Sequence, residues 1–96
     1  MSEWFSEPRA NLIESDSGFS VEVLGRTGLR YSEGARTAFV DSEVLAEPGA
    51  ILVYRDSIKR WDPPNQSDAL DDSDRERIIE NIKHAFEFRG HKLQVI

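Results

Sequence analysis

Apolar residues recur at helical spacing in the C-terminal quarter of the 96-residue chain. They fall three and four residues apart, which is the pattern of a helix with one apolar face: Ile78, Ile79, Ile82, Ala85 and Phe86. Ser73 followed by Glu76 has the spacing of a capping box, so Ser73 is predicted to cap the helix start. Gly90 is the residue type that ends a helix in the left-handed conformation. The apolar face of this helix requires a sheet or a second helix to cover it.

Upstream of the helix, polar and apolar residues alternate as they do in half-buried β-strands. Phe19, Val21 and Val23 share one face of the first such segment. Glycine-containing turns separate the segments, so the pattern predicts an antiparallel meander of three strands: residues 19–24, 29–31 and 37–40.

Four other segments complete the predicted organisation. Residues 50–54 are continuously apolar, which is typical of a strand in the middle of a sheet. Ser42–Glu47 before them fits either one helical turn or a loop. Lys92–Val95 alternates and predicts a last strand, beside the central strand or at an edge. Residues 1–17 show no period and fit either a frayed arm or a strand added to an edge.

These elements predict an α+β fold. A small antiparallel sheet of four or five strands packs against one main C-terminal amphipathic helix. A chain of this length is expected to form one domain, here over residues 18–96, with residues 1–17 as an N-terminal arm.

Composition narrows the chemistry that the chain can perform. It contains no cysteine, so disulfides, thiolate metal sites and a cysteine nucleophile are excluded. Its longest apolar run is too short to cross a bilayer, and its acidic start does not resemble a secretory signal. A cytoplasmic protein with no membrane partner is expected.

The net charge is −6, which argues against direct nucleic-acid binding. Acid is concentrated in residues 62–76, where only Arg75 is basic. The carboxylates there are Asp62, Asp68, Asp71, Asp72, Asp74 and Glu76. Acid near a helix N-terminus is favourable by itself, but such a surface can also mimic phosphate for a basic partner. A calcium loop is disfavoured because the mid-loop glycine and the distal glutamate are missing.

The sequence offers no catalytic constellation. His84 and His91 are the only histidines, and neither has an obvious fixed partner, so solvent exposure is expected for His84. Zinc spacing, a phosphate-binding glycine loop and a nucleophile elbow are absent. We therefore expect no enzyme activity, no metal and no cofactor.

Several runs of the chain resemble one known family: Tyr31–Arg36, Asp41–Glu43, Pro48–Gly49, Tyr54–Pro64 and Arg77–Ile82. The most distinctive is the Ser-Ile-x-x-Trp-x-Pro-Pro passage that contains Trp61. Together they are similar to the immunity protein seventy-four family of bacterial polymorphic toxin systems. The resemblance implies a small non-catalytic α+β protein that protects a cell from a cognate toxin.

If the toxin is a basic nuclease, an acidic loop can attract it and occlude its active site. Trp61 fits equally a buried core position and an aromatic contact with the partner. Glu33 and Glu43, on turns of the sheet, form a second group. The predicted partner-binding residues are Trp61, Asp62, Asp68, Asp71, Asp72, Asp74, Glu33 and Glu43.

A second function remains open from the sequence alone. The chain could be a small regulatory or interaction module that pairs through an exposed strand edge. Leu93–Ile96 and the region around Trp4 and Phe5 are the candidate edges. The expected oligomeric state is a monomer or a weak homodimer.

Overall fold

The computed structural model describes residues 4–96 and has an α+β fold. Residues 1–3 of the predicted N-terminal arm lie outside the described residues. Within residues 4–96, seven strands form one sheet, and a short 3-10 helix (Arg55–Ser57) follows the sixth strand. The main elements are β1 (Phe5–Arg9), β2 (Leu12–Ser15), β3 (Phe19–Val23), β4 (Gly28–Glu33), β5 (Arg36–Val44), β6 (Ala50–Val53), α1 (Asp72–Phe88) and β7 (Lys92–Val95).

The strands lie side by side in the order of the chain. Neighbours from β1 to β6 are antiparallel, whereas β6 and β7 are parallel. The predicted class is confirmed, but four or five antiparallel strands is an undercount, and the last pairing is of the other kind. The parallel pair arises because α1 carries the chain back along the sheet before β7 begins. β7 thus lies both beside β6 and at the edge.

The two strands that the prediction lacked form the β1–β2 hairpin. Pro8 interrupts β1, a register irregularity separates Ser6 from Arg9, and Asn11 adopts a positive φ of 66° in the connecting turn. Only Ile13 of this hairpin is fully buried. The hairpin therefore has no alternating pattern that could be recognised in the sequence.

One face of the sheet carries the core. Ile13, Val21, Tyr31 and Ala38 lie in register across four strands, and all four are buried. α1 covers this face with the five residues predicted from their spacing, which are all buried. Phe19 and Val21 are buried as predicted, and Val23 is partly buried.

β5 is longer than the predicted third strand. It continues through Ser42–Val44, which pair with β6, so of the two alternatives for Ser42–Glu47 the helical turn is wrong, and the loop begins only at Leu45. Ala38, Val40 and Ser42 are buried in alternation. Ser42 hides this alternation in the sequence, because its side chain is polar although it lies on the core face of the sheet.

The start of α1 corrects the predicted cap. Asp71 is the N-cap residue: its carboxylate accepts from the amide of Asp74 at 2.8 Å, and the Asp74 carboxylate accepts from the amide of Asp71 at 3.2 Å. The capping box has the predicted spacing but begins two residues earlier than Ser73. Leu70 is buried immediately before it, so the chain leaves the core and enters the helix at once.

The end of α1 is as predicted. Gly90 has φ 77°, its amide donates to the carbonyl of Glu87 at 3.0 Å, and the amide of His91 donates to the carbonyl of Phe86 at 2.8 Å. This pair of hydrogen bonds is the Schellman motif, in which glycine adopts the left-handed conformation without a steric cost.

The two candidate caps can be separated by substitution. Asp71→Ala removes the acceptor for the Asp74 amide and is expected to lower the free energy of unfolding by about 1 kcal/mol. Ser73→Ala is the matched control and is expected to change it by less than about 0.5 kcal/mol, since Ser73 only donates to the exposed Asp71 carboxylate. Urea unfolding followed by circular dichroism measures both. An equal loss in the two variants would contradict the assignment of Asp71.

Candidate partner-binding surface

Most of the predicted carboxylates gather around the start of α1. They lie on the end of β4, on the loop after Trp61 and on the first turns of the helix, and arginines from several elements stand between them. We call this set the α1 N-terminal surface: Glu33, Asp62, Asp68, Asp71, Asp72, Asp74 and Glu76 with Arg36, Arg55, Arg75 and Arg77.

Arg77 joins the helix to the sheet at this surface. Its guanidinium donates two hydrogen bonds of 3.1 Å to Glu33 on β4 and one of 2.8 Å to Asp74. The hydrogen bond from Arg77 holds the pKa of Asp74 below its usual value, and the amide of Asp71 adds to this effect. Both carboxylates are thus engaged inside the chain.

Behind this ion pair lies a buried hydroxyl. Tyr31 is 0% exposed, donates to Glu33 at 2.6 Å and accepts from the side-chain amide of Asn81 at 2.8 Å. Burial and then the hydrogen bond to Glu33 raise the pKa of Tyr31, so its hydroxyl remains a donor. The network fixes the position of Glu33 from the core side.

A second group of charges lies on the solvent side of the helix start. Asp72 pairs with Arg75 at 2.5 Å and lies 3.8 Å from Arg55, while Arg55 pairs with Glu76 at 2.8 Å. The hydrogen bond from Arg75 and the charges of both arginines lower the pKa of Asp72. Arg75 also donates to the backbone carbonyls of Ile58 and Leu70. It therefore ties the helix to the chain on both sides of the acidic loop, residues 62–69.

The loop itself contributes Asp62 and Asp68. The amide of Asp62 donates to the carbonyl of Thr37 at 2.7 Å, and its carboxylate accepts from the Thr37 hydroxyl at 3.2 Å. Asp68 pairs with Arg36 at 3.2 Å. Both ends of the loop are therefore attached to the start of β5.

Trp61 lies beneath this loop rather than on it. Its side chain is 2% exposed, stacks on Tyr31 with ring centroids 6.4 Å apart, and has the guanidinium of Arg36 5.9 Å from its ring. Of the two positions that the sequence left open, the structure has the buried one. Trp61 offers almost no area to a partner, because its side chain is packed into the core and is only 2% exposed.

Glu43 is separate from the surface. It lies on β5 opposite Leu52, six residues after Thr37, which is about 20 Å along a strand. Its carboxylate accepts a hydrogen bond from Tyr54, and this bond raises the pKa of the tyrosine. The structure therefore does not bring Glu43 together with the other predicted residues.

The charge of the α1 N-terminal surface is smaller than the sequence indicates. Seven carboxylates and four arginines leave three negative charges, and Arg60 borders the loop through its bridge to Ala69. Arg36, Arg55 and Arg77 were not in the predicted set, because their spacing along the chain does not place them beside the acidic loop. Their proximity follows from pairing of the strands and packing of α1.

Groups of three or more His, Asp or Glu side chains that could hold a metal ion are absent from residues 4–96. His84 lies 3.5 Å from Glu80 on the exposed side of α1, as its position in the helix predicted. His91 packs edge-on against Phe86 at the rim of an open, largely apolar cleft of about 270 Å³.

The described residues include no helix that is long and apolar enough to cross a membrane. Fold and surface together define a small α+β domain that presents ion-paired carboxylates at one end of its helix. The family model described as Immunity protein 74 matches residues 20–96, so the chain belongs to this family. The β1–β2 hairpin precedes the matched region. No curated protein and no solved structure matches the chain.

Proposed function

We propose that this protein binds a cognate toxin and neutralises it by direct occlusion, through the α1 N-terminal surface. The proposal rests on membership of the immunity family and on one observation: several carboxylates of this surface remain open to solvent although they are ion-paired. The side chain of Asp72 is 81% exposed, that of Glu76 is 64% exposed and that of Asp68 is 47% exposed. The protein acts as a binding partner in the cytoplasm, without turnover or a cofactor.

Exposed ion pairs are easily exchanged. A pair between solvated side chains contributes about 0–1 kcal/mol, so little is lost when a partner's arginine or lysine replaces the internal one. Close charge pairs across a protein interface can be clearly favourable, and complementary charge also speeds the encounter of the two partners. Asp68, Asp72 and Glu76 therefore suit a basic partner such as a nuclease.

The remaining carboxylates have positioning roles. Asp71 and Asp74 complete the capping box, and Asp62 attaches the loop to β5. Trp61 supports the loop from the core. A rigid base is an advantage in binding, since less conformational entropy is lost when the partner docks.

The test is a binding titration against the product of the adjacent gene, which an immunity function predicts to be the toxin. Asp68→Asn combined with Asp72→Asn is expected to weaken binding about tenfold at low salt and to reduce its salt dependence. Glu43→Gln combined with Glu47→Gln removes the same charge from the other end of β5 and is the matched control. Occlusion further requires that the protein compete with the toxin's substrate.

Two results would contradict different parts of the proposal. A folded protein that does not bind the toxin would reject the immunity function and favour a regulatory module. Tight binding with equal affinities for both double variants would retain the immunity function but place the interface elsewhere.

A further inference from the structure

The two edges of the sheet differ in their protection against further pairing. β1 carries Pro8, two charged neighbours and a register irregularity, which are devices that block the addition of another strand. β7 is a regular strand with no proline, and no strand lies on its outer side within residues 4–96. Val95 is 39% exposed and Ile96 is 67% exposed beside it. The β7 edge is therefore open.

Hydrogen bonding shows which groups of β7 are available. The amide of Lys92 donates to the carbonyl of Gly49 at 2.7 Å, the amide of Ile96 donates to Val53 at 3.0 Å, and the carbonyl of Ile96 accepts from Arg55 at 2.8 Å. In a parallel ladder, every second residue of a strand bonds to the same neighbouring strand through both its amide and its carbonyl. The even-numbered residues thus bond to β6, and the amides and carbonyls of Leu93 and Val95 point away from the sheet.

We propose that two copies of this chain pair through β7 in an antiparallel arrangement centred on Gln94. In this register Leu93 of one copy lies opposite Val95 of the other, and each of the two pairs exchanges two backbone hydrogen bonds. It uses every outward-pointing group of Leu93 and Val95 in both copies. If the two-fold axis passed through Leu93, the position opposite Val95 would lie outside β7. If it passed through Val95, the position opposite Leu93 would lie outside β7.

The side chains are compatible with this register. Leu93 and Val95 lie opposite Ile51 and Val53 on the face covered by α1, so the two copies form one apolar seam. Lys92 lies opposite Ile96, so no like charges face each other. Gln94 projects from the opposite face, where it meets Gln94 of the second copy at the short distance of a non-hydrogen-bonded pair.

The position of Gln94 provides a specific test. Gln94→Lys and Gln94→Glu each place like charges opposite each other, and each is expected to weaken dimerisation at least about tenfold. An equimolar mixture of the two variants is expected to dimerise again, because lysine then faces glutamate. Sedimentation equilibrium measures this as a mass that rises with concentration from 10.9 kDa toward twice that value.

The controls separate pairing from unfolding and from a change in net charge. Gln66→Lys makes the same substitution in the exposed loop and is expected to dimerise as the unmodified chain does. Thermal unfolding confirms that each variant is folded. In the unmodified chain, hydrogen exchange at Leu93 and Val95 is expected to slow as the protein concentration rises.

Three outcomes would overturn the proposal. The first is an unmodified chain that stays monomeric at its highest soluble concentration. The second is Gln94→Lys or Gln94→Glu protein that dimerises with unchanged affinity. The third is slowed exchange at Leu93 and Val95 only after toxin is added, which would assign the edge to a strand of the toxin. None of these outcomes depends on the α1 N-terminal surface.

Discussion

Trp61→Ala is expected to lower the free energy of unfolding by about 3–5 kcal/mol. The side chain is 2% exposed and stacks on Tyr31, so its removal leaves a cavity in a closely packed core. A small domain is stable by about 5–15 kcal/mol, so the variant would lose a large part of its stability. Urea unfolding followed by far-ultraviolet circular dichroism measures the loss.

Trp4→Ala is the matched control, because the side chain of Trp4 is 73% exposed. It is expected to change the free energy of unfolding by less than about 0.5 kcal/mol. Trp61→Phe keeps the stacking on Tyr31 and should lose less than the alanine variant. If Trp61→Ala were as stable as the unmodified protein but bound the toxin poorly, Trp61 would be a partner contact and not a core residue.

Tyr31→Phe is expected to lower the free energy of unfolding by about 1–3 kcal/mol, although it changes no apolar contact. The hydroxyl is fully buried, donates to Glu33 and accepts from Asn81. Its removal leaves the side-chain amide of Asn81 without this acceptor in a partly buried place. The loss follows from the unpaired donor, since the ring itself is retained.

Tyr54→Phe removes a hydroxyl that also bonds to a glutamate, Glu43, but from a tyrosine that is only partly buried. Its expected effect is below about 0.5 kcal/mol. The difference between the two tyrosine variants measures the contribution of burial. Equal effects would indicate that the Tyr31 hydroxyl has an alternative partner and that Asn81 does not depend on it.

The sequence predicted those parts of the fold that have a regular pattern. The buried face of α1, the strand at Phe19–Val23 and the Gly90 terminus are read from spacing, because side-chain direction is set by local backbone geometry. The β1–β2 hairpin is not predicted by the sequence pattern, because most of its side chains are exposed. Ser42 hides the length of β5, since a serine normally indicates an exposed position whereas this one is buried.

For the candidate site, the sequence identified the acidic residues but not their partners. Arg77 reaches Glu33 across 44 positions of the chain, and Arg55 reaches Glu76 across 21. No local pattern relates residues so far apart. The family resemblance, by contrast, could be recognised from the sequence, since it depends on the order of residues alone.

The sequence by itself thus determined the α+β class, the helix that covers the sheet and the family. Only the tertiary structure decided that Trp61 is buried, that β7 pairs in parallel and leaves an open edge, and that arginines neutralise much of the acidic loop. Periodicity records how each segment is oriented against a core. Which residues form ion pairs, which strand lies at an edge and which side chains are buried all depend on segments that are distant in the chain. These segments become neighbours only when the sheet and the helix pack together.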